Sequence, residues 1–225
     1  MFIGVAKGEL GKFCQAYLRY LGTELNIEGP LTQIKDLPGG KAIFRIQRSR
    51  DVPRWIGSGY DFGITGNDVT LDEIYAGNEK IGMCGGLQEE AKMLGFEKLL
   101  GKLVLLGREG YSSKKDRLRV VVSDYYPNIA RRNLEFDGLK PGDYELKIVQ
   151  GAVEGYLSGG DADLAVETRF NGDTLNTENE ELDRRGKPRI EVVRNILDIT
   201  PLVIYVFGRY TWLDFDDLFY TGKGK

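Results

Sequence analysis

The residues with the clearest potential for chemistry are charged side chains that follow short apolar segments. The stretch 167–175, ETRFNGDTL, places Glu167 after an apolar run and then a small turn with Gly172 and Thr174 before a polar, helix-like segment. Main-chain N–H groups converge at such a turn and can hold a phosphate. A carboxylate at the strand end can bind the hydroxyls of the sugar that carries this phosphate. The stretch is therefore a candidate phospho-sugar site, although an ordinary turn gives the same pattern.

Three further clusters lie at the ends of presumed strands, where open α/β sheets bind their ligands. Lys7 and Gly8 follow the first strand, and an ammonium group beside a helix N-terminus suits a phosphate. Arg48 precedes another helix start within RSRDVP, and Asp68 follows the strand that ends in ITG, where polar groups can pair with a base or a sugar. Each cluster taken alone also fits an ordinary strand-to-helix turn or a helix cap.

Composition narrows the chemistry that these clusters can perform. The chain contains no histidine, which excludes Ser–His–Asp and Cys–His nucleophilic catalysis and His-ligated metals. Cys14 and Cys84 lie far apart without the spacing of a metal site. Catalysis must then depend on carboxylates, Lys, Arg, Tyr, backbone dipoles or a bound hard metal ion.

Charge and hydropathy limit the partners. A net charge of −3 and a pI near 5.3 argue against a nucleic-acid partner, which requires a basic face. The longest apolar run, LVIYVF at 202–207, has the length of a buried strand and not of a membrane span. The opening MFIGVAKG becomes polar too soon for a signal peptide. We therefore expect a cytoplasmic protein without a membrane or nucleic-acid partner.

The elements that must position these residues alternate along the chain. Strands are predicted at 2–6, 42–46, 61–65, 102–106, 118–122, 144–149, 163–166, 190–193 and 202–207, and helices at 8–21, 51–58, 127–136 and 151–157. This alternation predicts an α/β fold with largely parallel sheets covered on both faces. Apolar residues at helical spacing in 210–220 indicate either a docking surface or a cover for the core.

Two segments share one design: a short helix, a Gly-containing turn, an Asp, and a strand of small apolar residues. They are RWIGSGYDFGIT at 54–65 and EGYLSGGDADLAVET at 154–168. Turns between helices and strands often have this form. In a chain of 225 residues, however, the repetition of this pattern favours two similar lobes across a ligand-binding cleft. The expected bounds are 1–104 plus 188–225 for the first lobe and 105–187 for the second.

Together the clusters resemble a known family, ATP phosphoribosyltransferase, the first enzyme of histidine biosynthesis. The resemblance runs from Phe2 to about Val206. It is carried by the AKG opening, RDVPRWIGSGYDFGITGNDV, YPNIARR, and GAVE followed by GDADLAVETRFNGDTL. Several matches in the right order and spacing are far more specific than any single motif.

The resemblance implies a two-lobed fold like that of type II periplasmic binding proteins, each lobe a mostly parallel sheet flanked by helices, with the active site between the lobes. The implied reaction joins ATP to phosphoribosyl pyrophosphate and releases pyrophosphate, with Mg²⁺ carried by the pyrophosphate. The chain is too short for the family's C-terminal regulatory domain. It thus resembles the short form, which implies a regulatory subunit similar to histidyl-tRNA synthetase and assembly as a homo-oligomer.

The family's functional positions map onto particular residues here. Glu154 and Glu167 match acidic positions near the ribose and are the implied catalytic residues. The implied substrate-binding residues are Lys7, Gly8, Arg48, Asp68, Tyr126, Asn171, Gly172, Asp173 and Thr174.

Departures from the family pattern keep other functions open. Glu9 stands where the family usually has Arg, and Asp124 and Asp173 add negative charge. Each disfavours a polyanionic substrate by on the order of 1 kcal/mol if partly exposed. The alternatives are a non-catalytic small-molecule-binding protein on the same fold and a divergent phosphoribosyltransferase that uses another base.

Overall fold

The computed structural model describes residues 1–110, 117–151, 153–170 and 173–219, without the side chains of 173–175 and 178. In chain order the elements are β1 (Phe2–Ala6), α1 (Glu9–Tyr20), β2 (Thr32–Leu37), β3 (Gly40–Gln47), α2 (Asp51–Arg54), β4 (Phe62–Gly66), α3 (Asn67–Tyr75), β5 (Ile81–Gly86), α4 (Gln88–Met93), a 3-10 helix (Glu97–Leu99), β6 (Gly101–Arg108), β7 (Leu118–Ser123), α5 (Pro127–Phe136), β8 (Tyr144–Val149), α6 (Glu154–Gly159), β9 (Leu164–Arg169), α7 (Asp173–Arg184), β10 (Ile190–Ile199), β11 (Pro201–Val206) and α8 (Trp212–Phe219).

The chain divides into two compact units. Unit 1 comprises Met1–Leu100 and Thr200–Lys225, and unit 2 comprises Gly101–Ile199. The bounds expected from the sequence, 104/105 and 187/188, therefore need correction. β10 pairs with β6 from Ile190 opposite Arg108 to Ile199 opposite Gly101, so both strands belong entirely to unit 2.

Unit 1 is built on a sheet with the strand order β2-β3-β1-β4-β11-β5. Its main core lies where α1 and α8 cover this sheet. Phe13 of α1, Phe44 of β3 and Phe215 of α8 are fully buried, and the ring centroids of Phe62 and Phe215 are 5.4 Å apart. Burial of such large apolar side chains is the main favourable term in folding. The aromatic C-terminal helix is thus a cover for the core.

Unit 2 is built on a five-stranded sheet with the order β10-β6-β9-β7-β8. Val104 and Leu106 of β6, Val121 of β7 and Ala165 of β9 are buried against Leu157 of α6. The central strands have the continuous apolar sequences expected of strands covered on both faces.

The two sheets repeat one topology. The order β3-β1-β4-β11-β5 in unit 1 corresponds strand by strand to β8-β7-β9-β6-β10 in unit 2, and corresponding pairs run in the same relative directions. Each unit also has an aspartate whose side chain accepts a hydrogen bond from a main-chain N–H of a neighbouring strand. Phe2 N donates to Asp61 Oδ2 at 2.9 Å, and Arg119 N donates to Asp163 Oδ2 at 2.9 Å. The two-lobed α/β class expected from the repeated sequence pattern is confirmed.

The sheets are mixed and not mostly parallel, which corrects one expectation. β1 runs parallel to β3 and β4, and β7 runs parallel to β8 and β9. β11 and β6, the strands by which the chain enters each unit from the other, run antiparallel to β4 and β9. No βαβ crossover links these strands to their neighbours, so nothing in the connection requires a parallel direction.

Within the described residues, no helix has both the length and the apolar composition needed to cross a membrane.

Candidate functional site

At the carboxyl edge of the unit 1 sheet, the structure brings three predicted residues together. β1 and β3 are parallel, and Lys7 N donates to Gln47 O at 2.8 Å. Lys7 and Arg48, the residues directly after these strands, are exposed. Gly8 precedes α1 with φ +75°, a conformation that favours glycine. Two cations and a helix N-terminus therefore lie at one edge, which suits an anion.

The same edge contains a polar group that the sequence did not single out. Gln47 ends β3, and its Oε1 accepts a hydrogen bond from Tyr60 Oη at 2.7 Å. Its Nε2 is buried and has no hydrogen-bond partner among the described residues. A buried donor without a partner is costly, so this amide is available to a bound acceptor.

Asp68 lies in the first turn of α3 and is 7% exposed. A Cβ on Gly66 would overlap the Asp68 carboxylate, so the glycine permits this close approach. The neighbouring Asn67 does not cap α3 with its side chain, because its Oδ1 accepts from Thr200 N at 3.0 Å. Asp68 is thus fixed beside the end of β4, which is parallel to β1.

Glu9, the departure from the family pattern, is held in a cluster of ion pairs. Its Oε1 lies 2.5 Å from Lys12 Nζ and its Oε2 lies 2.7 Å from Lys98 Nζ. Hydrogen bonds from these two lysines lower the pKa of Glu9 to about 2. The negative charge expected to repel a polyanion is therefore balanced locally. Lys98, which carries no sequence motif, is placed near the start of α1.

In unit 2 the corresponding edge is acidic. Asp124 N donates to Val149 O at 2.9 Å, the counterpart of the bond between Lys7 and Gln47. Tyr126 immediately precedes α5, and its N–H donates to Ser123 O at 3.1 Å. The side chain of Tyr126 is largely buried, with its ring centroid 5.9 Å from that of Tyr125. The structure thus places Tyr126 at the start of a helix on the predicted edge.

The two predicted catalytic carboxylates lie near each other. Glu154 is the first residue of α6, and Glu167 is half-buried on β9. Glu167 Oε1 accepts hydrogen bonds from Thr168 N at 2.8 Å and Thr168 Oγ1 at 3.1 Å. Burial raises the pKa of Glu167, the hydrogen bonds from Thr168 act against this, and the negative charge of Glu154 raises the pKa further.

The predicted phosphate loop falls largely beyond the part of the chain that the structure describes. Asn171 and Gly172 lie outside the described residues, as do the side chains of Asp173 and Thr174. A helix, α7, does begin at Asp173. The sequence pattern predicts a helix start in this region.

No three His, Cys, Asp or Glu side chains among the described residues are placed so that they could hold a metal ion. Cys14 is buried, and burial raises the pKa of its thiol to about 12. This thiol is therefore not a nucleophile at neutral pH.

Comparison with known proteins identifies a family for the chain. A family model described as HisG, ATP phosphoribosyltransferase, matches residues 48–183, more than half of the 225 residues. The match includes every predicted site residue except Lys7 and Gly8. No curated protein sequence matches the chain significantly.

Among solved structures, the chain is similar to one from the ATP phosphoribosyl transferase (HisG:HisZ) complex of Thermotoga maritima. The identity is 21%, the TM-score is 0.68, and the match covers 92% of this chain and 87% of that chain. A substrate-binding protein of an amino acid ABC transporter matches with 12% identity, 97% and 90% coverage and a TM-score of 0.46. A putative L-cystine ABC transporter from Listeria monocytogenes matches with 13% identity, 96% and 86% coverage and a TM-score of 0.48. The first of these matches shows the fold.

Proposed function

This chain belongs to the ATP phosphoribosyltransferase family, and we propose that it transfers a phosphoribosyl group from phosphoribosyl pyrophosphate to a ring nitrogen of the adenine of ATP. Pyrophosphate is the leaving group. The observation that carries the proposal is the proximity of Glu154 and Glu167 at the carboxyl edge of the unit 2 sheet. Both residues lie within the segment that matches the family.

The two carboxylates suit the charge that develops in this reaction. As pyrophosphate leaves, positive charge grows at the anomeric carbon of the ribose, and fixed negative groups stabilise it. Glu167 binds Thr168 through Oε1, and in this proposal its Oε2 accepts from a ribose hydroxyl. Its raised pKa makes the carboxylate a stronger hydrogen-bond acceptor, because the same electron density that holds a proton attracts a hydroxyl hydrogen.

The 5′-phosphate of the sugar is assigned to the segment before α7. The first turn of a helix has N–H groups without intrahelical partners and a positive dipole end. α7 begins at Asp173, and Asn171, Gly172 and Thr174 are the proposed phosphate contacts. Asp173 is proposed to point away from the anion.

The unit 1 edge is assigned to the polyphosphate of the substrates. Lys7 and Arg48 supply positive charge there, and the buried Nε2 of Gln47 supplies a donor without a partner among the described residues. We propose that Mg²⁺ arrives on the pyrophosphate. Bound there, Mg²⁺ would neutralise charge on the leaving group.

We further propose that the chain works as a homo-oligomer in the cytoplasm with a regulatory subunit similar to histidyl-tRNA synthetase. The similar Thermotoga maritima structure is that of a HisG:HisZ complex. Co-expression with a HisZ-type subunit, followed by size-exclusion chromatography with light scattering, tests this assembly. Separate elution of the two proteins would contradict it.

Calorimetric titration tests the activity. Phosphoribosyl pyrophosphate with Mg²⁺ is titrated first and ATP second, and pyrophosphate release is then measured. We expect both ligands to bind and pyrophosphate to be released only when both are present. Binding of neither ligand would contradict a transferase function, and binding of the sugar without ATP would indicate a different base.

A further inference from the structure

Unit 1 contains a cavity of about 330 Å³ beside β5, one of the two edge strands of its sheet. Trp212 of α8, Tyr205 of β11 and Met83 of β5 line this cavity, together with Glu90 of α4. Of the described residues proposed to bind ATP or phosphoribosyl pyrophosphate, none lines it. The cavity is therefore separate from the described part of the proposed site.

Of the two glycines on the strand side of the cavity, Gly85 faces open space, whereas a Cβ on Gly86 would overlap the side chain of Thr200. Gly85 and Gly86 end β5 and line the cavity. A Cβ built on Gly85 would meet no atom within 4 Å, so a side chain at this position would extend into open volume. Glycine weakens a strand interior, and its use here leaves room for a ligand.

The electrostatic character of the cavity is negative. Glu90 lines it, whereas no Lys or Arg of the described residues does. Burial raises the pKa of the Cys84 thiol in the cavity wall, and the charges of Glu90 and Asp216 raise it further. Neither Glu90 nor Asp216 has an ion-pair partner among the described residues. The cavity thus combines aromatic surface with a carboxylate that lacks a countercharge.

We propose that this cavity binds a small organic ammonium ion. The faces of Trp and Tyr rings attract cations through their quadrupoles, and Trp212 and Tyr205 supply such rings. Met83 adds a polarisable thioether, and Glu90 supplies the countercharge. An anion would be repelled by Glu90, and a hard metal ion would require several further oxygen ligands. The proposal is independent of the transferase activity, whose substrates are anions.

Fluorescence of Trp212 measures occupancy directly. The chain has two tryptophans, so a Trp55→Phe background leaves Trp212 as the only indole. Tetramethylammonium chloride is titrated into this protein, with tert-butyl alcohol as the neutral probe of similar shape and NaCl as the ionic-strength control. We expect a saturable fluorescence change with tetramethylammonium alone.

Matched glutamate variants test the charge. Glu90→Gln should weaken tetramethylammonium binding about fivefold or more, as expected for loss of a favourable charge interaction. Glu89→Gln is the control, because Glu89 is on the same helix but is 81% exposed and pairs with Lys92 at 2.8 Å. Gly85→Leu should abolish binding by filling the cavity.

Three results would overturn the proposal: equal binding of tert-butyl alcohol, equal affinities in Glu90→Gln and Glu89→Gln, or unchanged affinity in a folded Gly85→Leu variant. Far-UV circular dichroism establishes whether Gly85→Leu folds. If it does not fold, the comparison of the two glutamate variants decides.

Discussion

Units 1 and 2 share a strand order and strand directions, yet the residues that follow their corresponding strands differ in charge. In unit 1 the exposed residues after β1 and β3 are Lys7 and Arg48. In unit 2 the residue corresponding to Lys7 is Asp124, and Glu154 and Glu167 lie at the same edge. The backbone topology fixes where the strand ends meet, and the side chains at those ends decide what binds there. One scaffold thus presents basic side chains after β1 and β3 of unit 1 and acidic side chains at the corresponding edge of unit 2.

The repeated aspartates show a second difference. Asp163 accepts from Arg119 N and, through Oδ1, from Arg119 Nη2 at 3.0 Å, and both of these donors belong to one residue of β7. Asp61 accepts from Phe2 N and from Tyr210 Oη at 3.2 Å. In unit 1 this contact therefore ties the first strand to the segment that follows β11.

The largest effect is expected when a negative charge is removed from the acidic edge of unit 2. Glu167→Gln preserves size and removes the charge, and we expect turnover to fall by about 100-fold or more, as when one preorganised electrostatic group is lost. Pyrophosphate release under saturating substrates is the measurement. Glu191→Gln, at an exposed position of β10, is the control. Wild-type turnover in Glu167→Gln would refute the ribose assignment.

The stability of the same variant, compared with that of the parent, should depend on pH. Because folding raises the pKa of Glu167, its stabilising contribution is fully present below the unfolded pKa and is lost as pH rises through the folded pKa. The melting temperature of Glu167→Gln minus that of the parent should therefore be larger at pH 8 than at pH 4. An identical difference at both pH values would contradict the raised pKa.

Next in size is the unequal cost of removing the two repeated aspartates. Asp163→Ala should lower the free energy of unfolding by about 2 kcal/mol, because Arg119 N–H loses its buried acceptor and the guanidinium loses its partner. Asp61→Ala should cost about 1 kcal/mol, since its side chain is 16% exposed against 6% for Asp163. Urea denaturation measures both. A larger cost for Asp61→Ala than for Asp163→Ala would show that the burial of the aspartate does not set the cost.

A smaller effect is expected at the cationic edge. Lys7→Met should weaken ATP binding about tenfold at low salt, because an exposed cation beside a helix N-terminus is lost. The difference from the parent should shrink at high salt as the charges are screened. Lys35→Met, on β2 away from this edge, is the control. A salt-independent loss would indicate that Lys7 acts through something other than its charge.

The smallest effect concerns Glu9. Glu9→Gln releases Lys12 and Lys98 from their ion pairs and should strengthen ATP binding about two- to fivefold. Because the pKa of Glu9 is lowered to about 2, the ratio of parent to variant affinity should stay constant between pH 5 and 8. Glu24→Gln, an exposed position, is the control. Weaker ATP binding in Glu9→Gln would instead show that Glu9 positions Lys98 for the ligand.

Sequence patterns predicted the elements well where apolar periodicity is strong. β1, α5 and β8 have the predicted bounds. β5 was missed because half of IGMCGG is glycine, and β2 was missed because it is a polar edge strand. β10 was predicted too short because register shifts at Val192/Arg194 and Asn195/Leu197 interrupt the alternation of faces.

The sequence by itself determined the α/β class, the exclusion of histidine chemistry, the family resemblance and the positions of charged residues after strands. These are local properties, since they depend on residue type and on spacing within a few turns of chain. Only the tertiary structure decided the mixed strand directions and the pairing of Glu9 with Lys98. Such contacts join residues far apart in the chain, so their formation depends on sheet pairing and packing that no local pattern encodes.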